Sequence, residues 1–167
     1  MTAERIFALT QEMIRRHSTT DPTELAQARG IDIEFADLGA LKGLYTVFAR
    51  CRYIVVNEQL SEQMQRLVIA HELGHDLLHA AFTNHTFREF SLYDMTAGPE
   101  REANLFAANL LLPDDVVCVY ASEGRTAAQI AQMLGVPEAL VQLKLCDMNR
   151  RGFGFSTVQP PRGDFLR

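Results

Sequence analysis

His71 and His75 stand four residues apart, with Glu72 directly after the first histidine. On a helix this spacing places both imidazoles on one face, one turn apart, so both can reach the same metal ion. The Glu72 carboxylate is then placed to contact a water on that metal rather than the metal itself. Two ligands and a general base within five residues form the pattern of a zinc hydrolase. Such a site takes three protein ligands and keeps its fourth position for water. The source of the third is the helix opening Glu100-Arg101-Glu102-Ala103-Asn104. Glu100 is the preferred ligand, because it precedes Asn104 by one turn and shares the inward side with Ala103 and Ala107. Glu102, about 200° around the helix and nearer to solvent, is its competitor.

The expected reaction is peptide hydrolysis with one Zn2+ per chain. Zinc lowers the pKa of its water toward about 7, Glu72 takes the proton as that water attacks, and the proton later goes to the leaving amine. An oxyanion donor is expected as well, and His85, Tyr93 and Tyr120 are equal candidates for it. His79, one turn beyond His75, either supports a ligand or, the preferred reading, caps the helix C-terminus or faces solvent. Asn104 either orients a ligand or bonds a nearby loop. His17 reads as a surface residue.

These groups need a frame. Ala3 to Arg16 has helical apolar spacing. Asp21-Pro22 gives an N-cap and a proline at the first helical position of a short helix that Gly30 ends. Ile31, Ile33 and Phe35 alternate with Asp32, Glu34 and Ala36, as in a half-buried strand. Gly43 to Phe48 and Tyr53 to Val56 read as two more strands, with Ala49-Arg50-Cys51-Arg52 as the turn of a hairpin. Ser61 caps the motif helix, on which Met64, Leu67, Val68, His71, His75 and Leu78 form one inward stripe. Residues 81 to 99 read as a long irregular connection bordering the cleft. A helix from about Pro99 to Leu112 follows, stopped by Pro113. Two further helices, Ala127 to Leu134 and Pro137 to about Met148, complete the body. The pattern predicts an α+β fold, with a small three-stranded sheet, a mainly helical body and the histidine helix in its core. One domain is expected over residues 1–150, with a tail at 151–167.

Composition limits the function classes. The chain has 167 residues, 47% of them hydrophobic and 22% charged, in keeping with one globular core. A net charge of −5 gives no overall electrostatic footprint for nucleic acid or anionic membrane. Cys51, Cys118 and Cys146 are scattered and never form a Cys-x-x-Cys pair. They read as reduced, mostly structural thiols and poor zinc ligands, which suits the cytoplasm. No secretion signal is evident, and no stretch approaches the roughly 18–20 apolar residues of a membrane span.

His71-Glu72-Leu73-Gly74-His75-Asp76-Leu77-Leu78-His79, followed by Glu100-x-Glu102-Ala103-Asn104-x-Phe106-Ala107-Ala108-x-Leu110-Leu111-Leu112-Pro113, resembles the ImmA/IrrE family of metallopeptidases. The approach from Tyr53 to Asn57 and on through Arg66 and Ala70 is similar to that family too, so the likeness spans roughly residues 25 to 145. It implies that Glu100, the first glutamate of the second motif, is the metal ligand. It also implies an endopeptidase that relieves repression by cleaving a helix-turn-helix repressor or a similar regulator.

A different class competes for one segment. Residues 126–148 read as helix, glycine-containing turn and helix, like a helix-turn-helix DNA reader. Lys144 is the one basic residue in the stretch from Glu138 to Lys144, which leaves few phosphate contacts. Direct DNA binding is therefore not expected, and the pair reads as packing on the peptidase core. The alternative function is a metal-bound regulatory or DNA-binding protein without efficient proteolysis.

Overall fold

The computed structural model describes residues 1–79 and 98–155. Of the expected connection at 81–99, residues 81–97 lie outside the described residues, as does the end of the tail, 156–167, while Gly98 and Pro99 already belong to a helix. Among the described residues, ten elements follow in order. They are helices α1 (Ala3–His17) and α2 (Pro22–Ala28), strands β1 (Ile31–Ala36), β2 (Gly43–Phe48) and β3 (Cys51–Asn57), and helices α3 (Glu62–His79), α4 (Gly98–Leu111), α5 (Asp114–Ser122), α6 (Ala127–Leu134) and α7 (Glu138–Arg150). The fold class is α+β, as the sequence pattern predicts.

The three strands form one mixed sheet in the order β1-β3-β2. β3 is central, parallel to β1 with Ile33 opposite Ile54, and antiparallel to β2 with Tyr45 opposite Ile54. The β2–β3 turn is tighter than the sequence suggests. Only Ala49 and Arg50 form it, at φ 50° and 68°, while Cys51 and Arg52 already belong to β3. Positive φ at both central residues matches the right-handed twist of the strands, even though neither residue is glycine. The shorter turn brings Arg52 into register within the sheet. On β1, Ile31 is buried but Phe35 is 49% exposed, so the cover over this edge strand ends before its last inward position.

α3 is a central helix. Its N-terminus is capped by Ser61, whose Oγ accepts from the Met64 N–H at 3.4 Å. Every residue from Leu67 to Gly74 is buried, because the sheet, α2 and α4 enclose it from different sides. Burial thus extends well beyond the single apolar stripe. α4 is equally enclosed, with Ala103 to Leu110 all buried between α3, α1 and α7. The two helices meet at a glycine. A Cβ on Gly74 would stand 3.1 Å from the Cα, and equally from the carbonyl oxygen, of Ala103. That close approach exists only because residue 74 has no side chain.

Helix α5 is absent from the sequence reading. Pro113 stops α4, but it also opens α5, with Asp114 and Asp115 in the favourable first turn. α6 is held by a capping box between Thr126 and Gln129 and ends at Gly135 in the left-handed region, φ 65°. α7 packs on α6 and α4. Its Lys144 is buried, with Nζ 2.6 Å from Asp114 Oδ1 and 2.8 Å from Asn109 Oδ1. The basic residue of the helix-turn-helix reading is therefore a core residue, and its charge is neutralised inside the protein. Among the described residues, no single helix is long and apolar enough to cross a membrane.

Candidate metal centre

Helical geometry delivers the pair His71 and His75 to one point. Their Nε2 atoms lie 3.0 Å apart, with ring centroids at 4.7 Å. The first turn of α4 brings Glu100 to the same place: Oε2 is 3.3 Å from His71 Nε2, and Oε1 is 3.3 Å from His75 Nε2. One donor atom from each residue can be chosen so that all lie within 4.8 Å of one another. The close crossing at Gly74 and Ala103 makes this possible, because it sits between the histidines of α3 and the carboxylate of α4.

The electrostatics favour a cation. Burial holds the His71 imidazole below its ordinary pKa, against the opposing pull of the Glu100 carboxylate, which accepts from the protonated ring, so a neutral ring with a free lone pair is favoured. Burial alone would raise the Glu100 carboxyl. Hydrogen bonds accepted from His71 and His75 when those rings carry the proton, with the rings' positive charge, outweigh that and hold it far below the usual carboxylate range. The result is two imidazole nitrogens and one ionised carboxylate facing inward at contact distance, the donor set of a catalytic zinc site. A shared divalent cation is the group that this donor set fits.

The remaining candidates fall into place around this centre. Glu72 is 4% exposed, buried one residue beyond His71. Asn104 is buried, and its Oδ1 lies 2.8 Å from His71 Nδ1. Glu102 meets different partners: its Oε2 lies 3.5 Å from His79 Nε2, and its Oε1 pairs with the N-terminal ammonium of Met1. It is not the more exposed glutamate, since its side chain is 21% accessible against 24% for Glu100. What separates the two is direction. His79 does not face solvent; its side chain is 10% exposed and its ring lies 5.5 Å from that of His75. Burial, with the nearby charge of His75, lowers its pKa.

Tyr120 packs against the hydrophobic core from α5, while His85 and Tyr93 lie outside the described residues. His17 is exposed in the last turn of α1. The three cysteines are free; Cys51 is exposed rather than structural, and the other two are half-buried. None of them belongs to the cluster.

Asp76, directly after His75, is the group that sequence reasoning missed. It is 2% exposed and held by three partners from separate elements. Arg29 reaches it at 2.7 Å and Arg52 at 2.9 Å, and the Tyr45 hydroxyl donates at 3.2 Å. Burial and the Asp76 charge push the Tyr45 pKa up to about 12, so the phenol keeps its proton. Arg52 also donates to the Arg29 carbonyl. The whole arrangement ties the turn of α3 that carries His75 to α2, β2 and β3. The sequence carried half of the signal, since an aspartate beside a core histidine calls for cations, but nothing local to it says which residues supply them.

Two histidines and a carboxylate on paired buried helices form a group that could hold a metal ion, the kind of site a metallopeptidase-type domain uses. Residues 26–145 match the IrrE N-terminal-like domain family. The chain is 38% identical over 140 residues to a protein described as "uncharacterized immunity region protein 2" from Bacillus phage phi105, covering 83% of this chain and 88% of that one. It is 33% identical over 149 residues to "Metallopeptidase ImmA" from Bacillus subtilis strain 168, covering 86% of each. The chain belongs to the ImmA/IrrE metallopeptidase family.

Proposed function

We propose that this protein is a cytoplasmic, zinc-dependent endopeptidase that cleaves a helix-turn-helix transcriptional repressor or a similar regulator, within one domain over residues 1–150. The observation that carries the reading is the convergence of His71 Nε2, His75 Nε2 and Glu100 on one point, beside the buried Glu72. His71, His75 and Glu100 are assigned as the ligands of one Zn2+. Bound there, zinc supplies a Lewis acid that polarises the scissile carbonyl and makes water more acidic.

The chain's own residues do the rest. Glu72 accepts the proton of the attacking water at its carboxylate and returns it to the leaving amine nitrogen. The enclosed walls of α3 and α4 keep bulk water from the carboxylate, which strengthens each charge interaction inside. The Asp76 clamp fixes the turn that carries His75. The assignment of the regulator draws on the family and on its phage immunity region relative. The buried Lys144 disfavours a DNA-reading role for α7.

The test is Glu72→Gln, which is nearly isosteric. The zinc-loaded variant is incubated with candidate helix-turn-helix regulators and cleavage is followed by mass spectrometry. The expected outcome is wild-type zinc content with cleavage lowered about 100-fold or more, on the scale of general-base catalysis. Undiminished cleavage by the variant would sink the mechanism. A wild type that holds zinc and cuts no regulator would point to a metal-bound regulatory protein instead.

A further inference from the structure

We propose that Asn104 is the positioning residue of His71, fixing the tautomer and ring orientation in which Nε2 is presented to the metal. This rests on the metal reading above and assigns one more residue to it. The Oδ1 of Asn104 lies 2.8 Å from His71 Nδ1, and both side chains are buried at 1% exposure. A carboxamide oxygen only accepts hydrogen bonds, so the contact commits the ring proton to Nδ1. The lone pair is then left on Nε2, the nitrogen that faces Glu100 and His75.

The placement is economical. Glu100 and Asn104 are one turn apart on α4, so a single helix supplies both a ligand and the support of another ligand. Between them lies Ala103, the residue that Gly74 packs against. Any movement of α4 therefore changes ligand and support together. The two histidines are unequal in this respect. Among the described residues, His75 Nδ1 is buried without a hydrogen-bond partner. His71 is thus the ligand whose orientation the fold predetermines. A neutral amide supports the ring without adding a charge to the site, whereas a carboxylate in its place would make the imidazole a stronger donor.

The experiment compares the wild type with Asn104→Leu and Asn104→Asp, all full-length and loaded with zinc alone. Zinc affinity is measured by chelator competition, and the ring N–H signals are followed by NMR on chains labelled with 15N at histidine. Circular dichroism of the metal-free proteins reports folding. The expected result is a loss of about 10–100-fold in zinc affinity for Leu, with affinity kept or raised for Asp. The His71 Nδ1–H proton should resonate downfield and exchange slowly in the wild type and the Asp variant, and move upfield in the Leu variant. That ordering follows hydrogen-bonding capacity, which a purely structural role would not reproduce. Unchanged affinity in Leu, or a loss in Asp as large as in Leu, overturns the proposal. Should Leu not fold, a loss beyond about tenfold in Asp overturns it alone. Absence of zinc binding by the wild type would overturn the metal reading itself, and this assignment with it, so the two failures are distinguishable.

Discussion

Glu100 and Glu102 leave α4 two residues apart and meet different partners. Glu100 faces both His71 and His75, while Glu102 faces His79 and the N-terminal ammonium. Their exposures are nearly equal, so burial cannot choose between them as ligand, but direction can. Glu100→Ala removes the only carboxylate of the cluster and should weaken zinc binding by more than about 100-fold, beyond the effect of losing an outer partner. Glu102→Ala leaves all three donors in place and should cost less than about tenfold. Chelator competition on both variants is the check. The reverse order would move the third ligand to Glu102 and undo the assignment.

At the scale of elements, the site depends on how closely α4 approaches α3. Gly74→Ala would place a methyl 3.1 Å from the Cα and carbonyl oxygen of Ala103, and from the ring edge of Phe106. Alanine favours helix by about 1 kcal/mol over glycine, but overpacking costs about 1–3 kcal/mol. Two of the three obstacles are backbone, which cannot swing aside, so the cost should prevail. The expected outcome is a lower melting temperature together with weaker zinc binding, read by thermal unfolding and chelator competition. Ala103→Gly added to Gly74→Ala should rescue neither property, because the obstructing atoms are not the Ala103 side chain. Rescue would show that the helix spacing is set elsewhere. Much of this site was legible in the sequence because a helix fixes its own i, i+4 spacing: His71 and His75, and Glu100 with Asn104, required no tertiary knowledge. The Asp76 clamp was not legible, since Arg29, Arg52 and Tyr45 come from separate elements and the short hairpin turn that places Arg52 was misread. Helix α5 was hidden because Pro113 ends one helix and begins the next.

For the whole molecule, the missed helix supplies the partner of the buried lysine. Lys144 is buried against Asp114, which opens α5. Asp114 also receives Arg151, whose guanidinium pairs with Asp147 at 3.1 Å and lies over the Phe7 ring at 3.8 Å. One carboxylate therefore joins α5 to α7, and through Arg151 to α1. Burial alone would raise its pKa, but the hydrogen bonds from Arg151 and Lys144, with their charges, bring it below the ordinary aspartate value. A depressed folded-state pKa gives stability that is complete above the unfolded value of about 3.9 and lost as pH falls through the lower folded value. Asp114→Asn removes that linkage and leaves Lys144 buried beside a neutral group. At pH 7 the variant should be less stable by about 3–5 kcal/mol, the cost of breaking a buried pair from one side. Between pH 4 and pH 2 the wild type should lose stability faster, so that the two denaturation midpoints converge. Urea unfolding of metal-free protein across that range measures this without interference from zinc. A constant gap from pH 7 to pH 2 would show that Asp114 acts through packing rather than through its charge.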